Sequence, residues 1–182
     1  MESNNLILRE TIFNDCNLFA EFEKHDFIKE FLTIDENRSC EDVVREFIIR
    51  ERDISIVQYT IISKNDNKPI GRVYISRIDK GANYLDITRI YIGDKNNIGK
   101  GYGKEAMILL LQYCFNTLKM ERVTIDHYPN NYKASNLYLS LGFQYEGIMR
   151  NAAKRNNQYF DLHLMSILKN DYYKNSLNIS VK

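Results

Sequence analysis

The sequence predicts a single α/β domain built around one mixed β-sheet. Three observations predict it. Short β-branched runs and amphipathic helices alternate in the order β-α-α-β-β-β-α-β-α-β-β, a pattern that lays helices against a sheet. The 182 residues suffice for one domain with a full core. Three of the eight glycines fall within positions 99–103, between an apolar strand and an apolar helix. Strand, glycine turn and helix start together make an anion site, because glycine allows close backbone approach and the first helical N–H groups lack internal partners.

The elements follow in order. Leu6, Ile7 and Leu8 open a strand over 6–10. Asn14 or Asp15 caps a helix over 16–24, with Leu18, Phe19 and Phe22 on one face. Residues 31–37 are less regular and border a site. Ser39 and Asp42 have the spacing of a capping box, which starts a helix carrying Val43, Val44, Phe47 and Ile48. A β-branched run over 54–63, a turn over 64–69 and a returning strand over 70–76 read as a hairpin. After a turn at 80–83, a strand over 84–92 leads through a polar loop into the glycine stretch. The helix over 101–118 shows Met107, Leu110, Leu111, Cys114, Phe115 and Leu118 on one stripe. A strand over 122–127 is followed by Pro129, Asn130 and Asn131, which open a helix through Ala134, Leu137, Tyr138 and Leu141. Gly142 and Phe143 end that helix and begin a strand toward Ile148. A basic connector over 150–157 and a last strand over 159–168 complete the domain, assigned to residues 1–174; a polar C-terminal tail occupies 175–182.

Composition excludes several classes. The net charge of +1 gives no global drive toward nucleic acid or membrane, and no window approaches the ~18 apolar residues of a membrane span. Cys16, Cys40 and Cys114 are odd in number and lack metal or redox spacing, so free thiols, no metal site and a cytoplasmic setting are expected. Residues 21–53 carry eleven Asp/Glu against six Lys/Arg, a net of −5. Solvated acidic helix faces account for this; a negative rim that attracts a cation is the functional alternative.

The glycine stretch is tested against known phosphate loops. A GxxxxGK[ST] loop fails, because Ile98 stands where the first Gly belongs and Glu105 follows Lys104. A GxGxxG dinucleotide loop fails, because Gly99, Gly101 and Gly103 are spaced GxGxG and lie late in the chain. The kinase HRD and DFG signatures are missing. An acyl-CoA loop remains.

Residues 98–106, Ile98-Gly99-Lys100-Gly101-Tyr102-Gly103-Lys104-Glu105-Ala106, resemble the glycine motif of the GNAT superfamily of N-acetyltransferases, Gln/Arg-x-x-Gly-x-Gly/Ala. Residues 131–143 resemble its second signature, N-x-x-A-x-x-x-Y-x-x-x-G-F, with Asn131, Ala134, Tyr138, Gly142 and Phe143 in register. The region from Glu146 to Asp161 is similar to the branch of spermidine and ribosomal-protein N-terminal acetyltransferases. The loop from Ile92 also looks like aminoglycoside 6′-acetyltransferases. The likeness spans about residues 90–161. One departure is Ile98 at the Gln/Arg position, a site the family uses mainly through its backbone N–H.

The resemblance implies a GNAT-like fold: a mixed, mostly antiparallel twisted sheet flanked by helices and splayed at its central strands. It implies acetyl-CoA as cofactor and direct attack by a primary amine in a ternary complex, without an acyl-enzyme. The backbone of Ile90, Tyr91 and Ile92 would pair with the pantetheine arm. Ile98, Gly99, Lys100, Gly101, Tyr102, Gly103 and Lys104 would hold the diphosphate, with Asn131 and Asn136 adding contacts. Tyr138 would be the general acid for the leaving thiolate. Asp86, Asp126, His127 or a water chain would serve as base. An α-amine titrates near ~8 and a lysine-like amine near ~10.4, so the second needs more help to lose its proton. The acceptor is a small-molecule or peptide amine. Family members often dimerise, so a homodimer is an expectation. A non-catalytic CoA-binding module with the same fold is the alternative class, and a nucleotide-binding protein a third.

Overall fold

The computed structural model describes residues 1–34 and 37–179. The chain runs through strand β1 (Leu6–Glu10) and helices α1 (Asp15–Phe22), α2 (Asp26–Lys29) and α3 (Cys40–Arg52). Strands β2 (Val57–Ser63), β3 (Lys68–Asp79) and β4 (Tyr84–Ile92) follow, then helix α4 (Tyr102–Gln112), strand β5 (Arg122–His127) and helix α5 (Tyr132–Ser140). Strands β6 (Gln144–Arg155) and β7 (Gln158–Leu168) and helix α6 (Lys169–Ile179) close it. The strands form one sheet in the order β1-β2-β3-β4-β5-β7-β6. Every pairing is antiparallel except β4 with β5, which are joined by the α4 crossover.

That one parallel pair creates the site. It covers only residues 84–87 of β4 and 122–125 of β5. Beyond Ile87 and Ile125 the two strands part, and among the described residues the backbone of 88–92 has no strand partner on that side. A bulge in β4 coincides with the parting: β3 pairs Tyr74 with Arg89 and Ile75 with Ile87, leaving Thr88 over. One extra residue inverts the in–out alternation. Leu85, Ile87, Ile90 and Ile92 therefore belong to the main core with Met107, Leu110 and Phe115. Tyr91 turns to the opposite face and packs with Phe19, Phe22 and Val43 of α1 and α3.

The second face buries an ion network. Arg72 on β3 is fully buried; its Nη1 donates to Glu23 at 2.8 Å and its Nη2 to Glu46 at 3.0 Å and Gln58 at 2.8 Å. Arg38 donates to Glu23 at 2.5 Å, Arg89 to both oxygens of Glu46 at 2.9 Å, and the Tyr91 hydroxyl to Glu23 at 2.9 Å. Glu23 of the acidic segment is therefore spent inside the fold, and Glu46, with 20% of its side chain exposed, is tied to three arginines. Gly71 permits this close packing of β3 on β4, since a Cβ there would lie 2.2 Å from the Tyr91 carbonyl oxygen.

Several boundaries differ from the sequence expectation. The first helix is Asp15–Phe22, and Asn14 precedes it without a side-chain cap. The second expected helix starts as read, with Ser39 and Asp42 forming a capping box. Helix α2 is a single turn, too short to leave a periodic pattern in the sequence; Asp35 and Glu36 of the irregular stretch lie outside the described residues. The helix expected over 101–118 is α-helical to Gln112 and then widens into a π turn, Tyr113–Thr117. The basic connector over 150–157 is corrected: β6 continues to Arg155, pairing Ala153 with Phe160 and Arg155 with Gln158. Only Asn156 and Asn157, at φ +50° and +60°, turn the chain. Polar residues there mark an edge strand, not a loop. The tail expected from Asn175 begins inside α6, and Asn175 packs against Gly142; residues 180–182 lie outside the described residues.

Candidate active site

The parted strands open a cavity of about 440 Å³. Ile90, Tyr91 and Ile92 line it from β4, Asp126 and His127 from β5, and Asn131 and Tyr138 from the start and body of α5. Gly103, in the first turn of α4, lines it as well. The strand, the helix start and the tyrosine singled out by the sequence thus converge on one space.

The glycine loop adjoins this cavity as an open cradle. Gly99 and Gly101 both sit at φ +81°, in the left-handed region where a side chain is strained. A Cβ built on Gly99, Gly101 or Gly103 meets no atom within 4 Å. Gly101 precedes α4 without a side-chain cap, so the N–H groups of the first turn point toward that space. Glu105, the one acid in that turn, is held by Ser3 at 2.5 Å and by the Asn5 backbone and side chain at 3.1–3.3 Å. Free N–H groups, positive helix end and open backbone fit a diphosphate. Lys100 donates to Asn97 at 3.2 Å, Lys104 is exposed, Tyr102 is half-buried and packs against the main core, and Ile98 is exposed.

The titratable groups divide by environment. Asp126 is pushed up to about 6, first by burial and then by the nearby Asp86 charge. Burial, and then the Asp126 charge, raise the Tyr138 phenol above its ordinary value, so it carries its proton at neutral pH. His127 Nδ1 lies 2.8 Å from the Tyr128 carbonyl oxygen, which can only accept. The ring proton therefore sits on Nδ1, and the buried Nε2 has no partner among the described residues. Burial, then the neighbouring His163, lower the His127 pKa and keep the ring neutral.

Not every expected residue meets the cavity. Asp86 does not line it; its carboxylate accepts from Thr124 at 2.7 Å and Thr88 at 3.2 Å. Asn131 lines it, with its side-chain oxygen accepting from the Ala134 N–H at 3.1 Å and its amide NH₂ left for a ligand. Asn136 is exposed, on the outer side of α5. Phe31, Leu32 and Thr33 of the irregular stretch expected to border a site do line the far end of the cavity; sequence reasoning missed Phe27, Tyr128 and Leu162, which complete it. The Tyr128 hydroxyl lies 3.3 Å from the Thr33 hydroxyl and ties the two walls together. Such a pairing of residues 95 apart leaves no periodic signal in the sequence.

A family model for the acetyltransferase (GNAT) domain matches residues 5–144. The uncharacterized N-acetyltransferase p20 of Bacillus licheniformis is 26% identical over 171 residues, covering 92% of this chain and 94% of that protein. The probable N-acetyltransferase YjcK of Bacillus subtilis (strain 168) is 29% identical over 163 residues, covering 85% and 88%. Among solved structures, a spermidine N-acetyltransferase from Vibrio cholerae in complex with CoA and spermine superposes with a TM-score of 0.83 at 21% identity, covering 94% of this chain and 99% of that one. Likeness at that identity speaks to the fold, and the matched domain model to the family. The chain belongs to the GNAT acetyltransferase family and is an N-acetyltransferase that moves an acetyl group from acetyl-CoA to an amine.

Proposed function

We propose that this chain acetylates the primary amine of a small molecule by direct transfer in a ternary complex, with Asp126 as base and Tyr138 as acid. One observation carries the reading: Asp126 and Tyr138 line the same cavity, which opens beside the glycine cradle. Bound acetyl-CoA supplies the activated acetyl thioester. The first-turn N–H groups of α4, with Gly99, Gly101 and Gly103, bind its diphosphate; the backbone of Ile90, Tyr91 and Ile92, unpaired on the β5 side, binds its amides. Asp126 attracts the incoming ammonium and takes its proton, which a neutral imidazole at His127 would do without the charge attraction. Tyr138 gives its proton to the departing sulfur. The three free cysteines take no part: none lines the cavity, and Cys16 and Cys114 are buried, which raises both thiols, Cys114 to about 12. Free thiols also support a cytoplasmic setting. No described helix is long and apolar enough to cross a membrane.

Thiol release from acetyl-CoA in the presence of an amine panel tests the reading. Acetyl-CoA is expected to raise the melting temperature, and at least one amine to release thiol. Binding without release from any amine would replace the enzyme with a CoA-binding module. Tyr138→Phe is expected to lower kcat about 10²-fold or more with the acetyl-CoA affinity retained. Unchanged kcat removes Tyr138 from the proton path.

A further inference from the structure

Two lysine or arginine side chains line the cavity, and they differ in kind. Lys133, in the first turn of α5, is exposed, so its ammonium stays in water. Arg89, on β4 just past the Thr88 bulge, has only 14% of its side chain exposed. Its guanidinium is held at one corner: Nη1 donates to both oxygens of Glu46 at 2.9 Å. Among the described residues, Nη2 and Nε have no acceptor. Neither is sealed from solvent, as the unpartnered Nε of Arg72 is, so both reach open space.

Arg89 belongs to a network rich in positive charge. Among the described residues, Arg38, Arg72 and Arg89 share Glu23 and Glu46, three guanidinium groups on two carboxylates. A guanidinium largely withdrawn from water favours an anion on its free donors. A planar fork of N–H groups matches a carboxylate. The rest of the cavity selects the other groups of an acceptor. Asp126 draws an ammonium, and Phe27, Phe31, Leu32, Tyr128 and Leu162 offer an apolar wall. Anion site, cation site and apolar wall around one space of about 440 Å³ fit a zwitterion with an apolar side chain.

We propose that Arg89 binds a carboxylate on the acceptor, and that the acceptor is an α-amino acid with an apolar or aromatic side chain. The inference rests on the acetyl transfer proposed above and adds the substrate class and a residue that determines it. Arg89 holds the acceptor and moves no proton. The amine nitrogen forms the new C–N bond as the thioester C–S bond breaks, its proton passes to Asp126 and on to solvent, and the sulfur takes the proton of Tyr138.

Thiol release measured at pH 8 with both enantiomers of phenylalanine, 2-phenylethylamine and spermidine tests it. 2-Phenylethylamine is phenylalanine without its carboxylate. The better enantiomer is expected to exceed it in kcat/KM by tenfold or more. Arg89→Gln is expected to shrink that ratio at least fivefold, and the amines' own titration cancels between the two proteins. Arg89→Lys keeps the charge and loses the fork, so its ratio is expected to fall between; it carries the test if Arg89→Gln does not fold, which the acetyl-CoA thermal shift checks. An unchanged ratio in the Arg89 variants, or an equal loss in Lys133→Gln, overturns the assignment to Arg89. 2-Phenylethylamine equal to or above phenylalanine overturns the proposal while leaving acetyl transfer intact. Spermidine above both does the same, and would mean that acids of the 26–36 segment outweigh Arg89. No thiol from any amine overturns acetyl transfer and this inference together.

Discussion

Asp126→Asn is expected to lower kcat/KM by about 10²- to 10⁴-fold and at the same time to stabilise the fold at pH 7. Both effects have one cause. Burial among cavity groups, with Asp86 nearby, pushes the Asp126 carboxyl up to about 6. The unfolded chain releases that proton near pH ~4. Between about pH 4 and 6 the native state therefore binds more protons than the unfolded state, and stability falls as pH rises through that window. Above it the native protein carries the full cost of a charged, desolvated carboxylate, about 2–3 kcal/mol. Asn is neutral at every pH and carries no such cost. Urea unfolding should show the variant more stable at pH 7 and the gain vanishing at pH 4. A variant less stable at pH 7 would mean that the carboxylate serves the fold and not the chemistry.

Glu23→Ala is expected to have the largest effect on stability, a loss of about 3–5 kcal/mol. Glu23 is 3% exposed and accepts from Arg72, Arg38 and Tyr91. Its removal leaves the fully buried Arg72 with only the shared Glu46 and the neutral Gln58. An uncompensated buried guanidinium costs far more than the pair contributes when intact. The double variant Glu23→Leu with Arg72→Met should accordingly recover most of the loss, because it removes both charges. Urea midpoints for the two variants give the comparison; a double variant as unstable as the single one would place the value of Glu23 in its other partners. The Tyr91 hydroxyl loses its acceptor in either variant. A raised KM for acetyl-CoA in the recovered double variant would tie this network to the placement of β4.

The parts of this molecule that repeat along the chain were legible in its sequence. The β-branched run at 84–92, the strand at 122–127 and the capping box at Ser39 are local patterns, and each element appears where its pattern lies. The glycine stretch was legible for the same reason, since the left-handed backbone at Gly99 and Gly101, both at φ +81°, favours a residue without a Cβ. Edge-strand polarity misled the reading of 150–157, because β6 has one unpaired side and tolerates polar residues that resemble a loop. What long-range packing decides was not legible. Glu21, Asp26, Glu30, Glu41 and Glu51 of the acidic segment form the solvated face its composition suggests, but nothing local shows that Glu23 is buried against Arg72 or that Glu46 turns toward it. The choice among Asp86, Asp126 and His127 also depended on the cavity: Asp86 faces Thr124, while Asp126 and His127 face the space where strands part. The Thr88 bulge that accompanies this parting carries no sequence signal.

The pH dependence of kcat/KM for thiol release, compared between the native chain and Asp126→Asn from pH 5 to 9, tests the central claim most directly. Because Asp126 takes its proton from the ammonium, the native protein draws on the charged amine, whereas Asp126→Asn draws on the neutral fraction, which rises tenfold per pH step below ~10 for an alkyl amine. The account predicts that native kcat/KM rises up to about pH 6 and is flat above it, so the native-to-variant ratio is flat below about 6 and falls about tenfold for each pH step of one above it. A ratio that stays near one across the range would contradict it and remove Asp126 from the proton path.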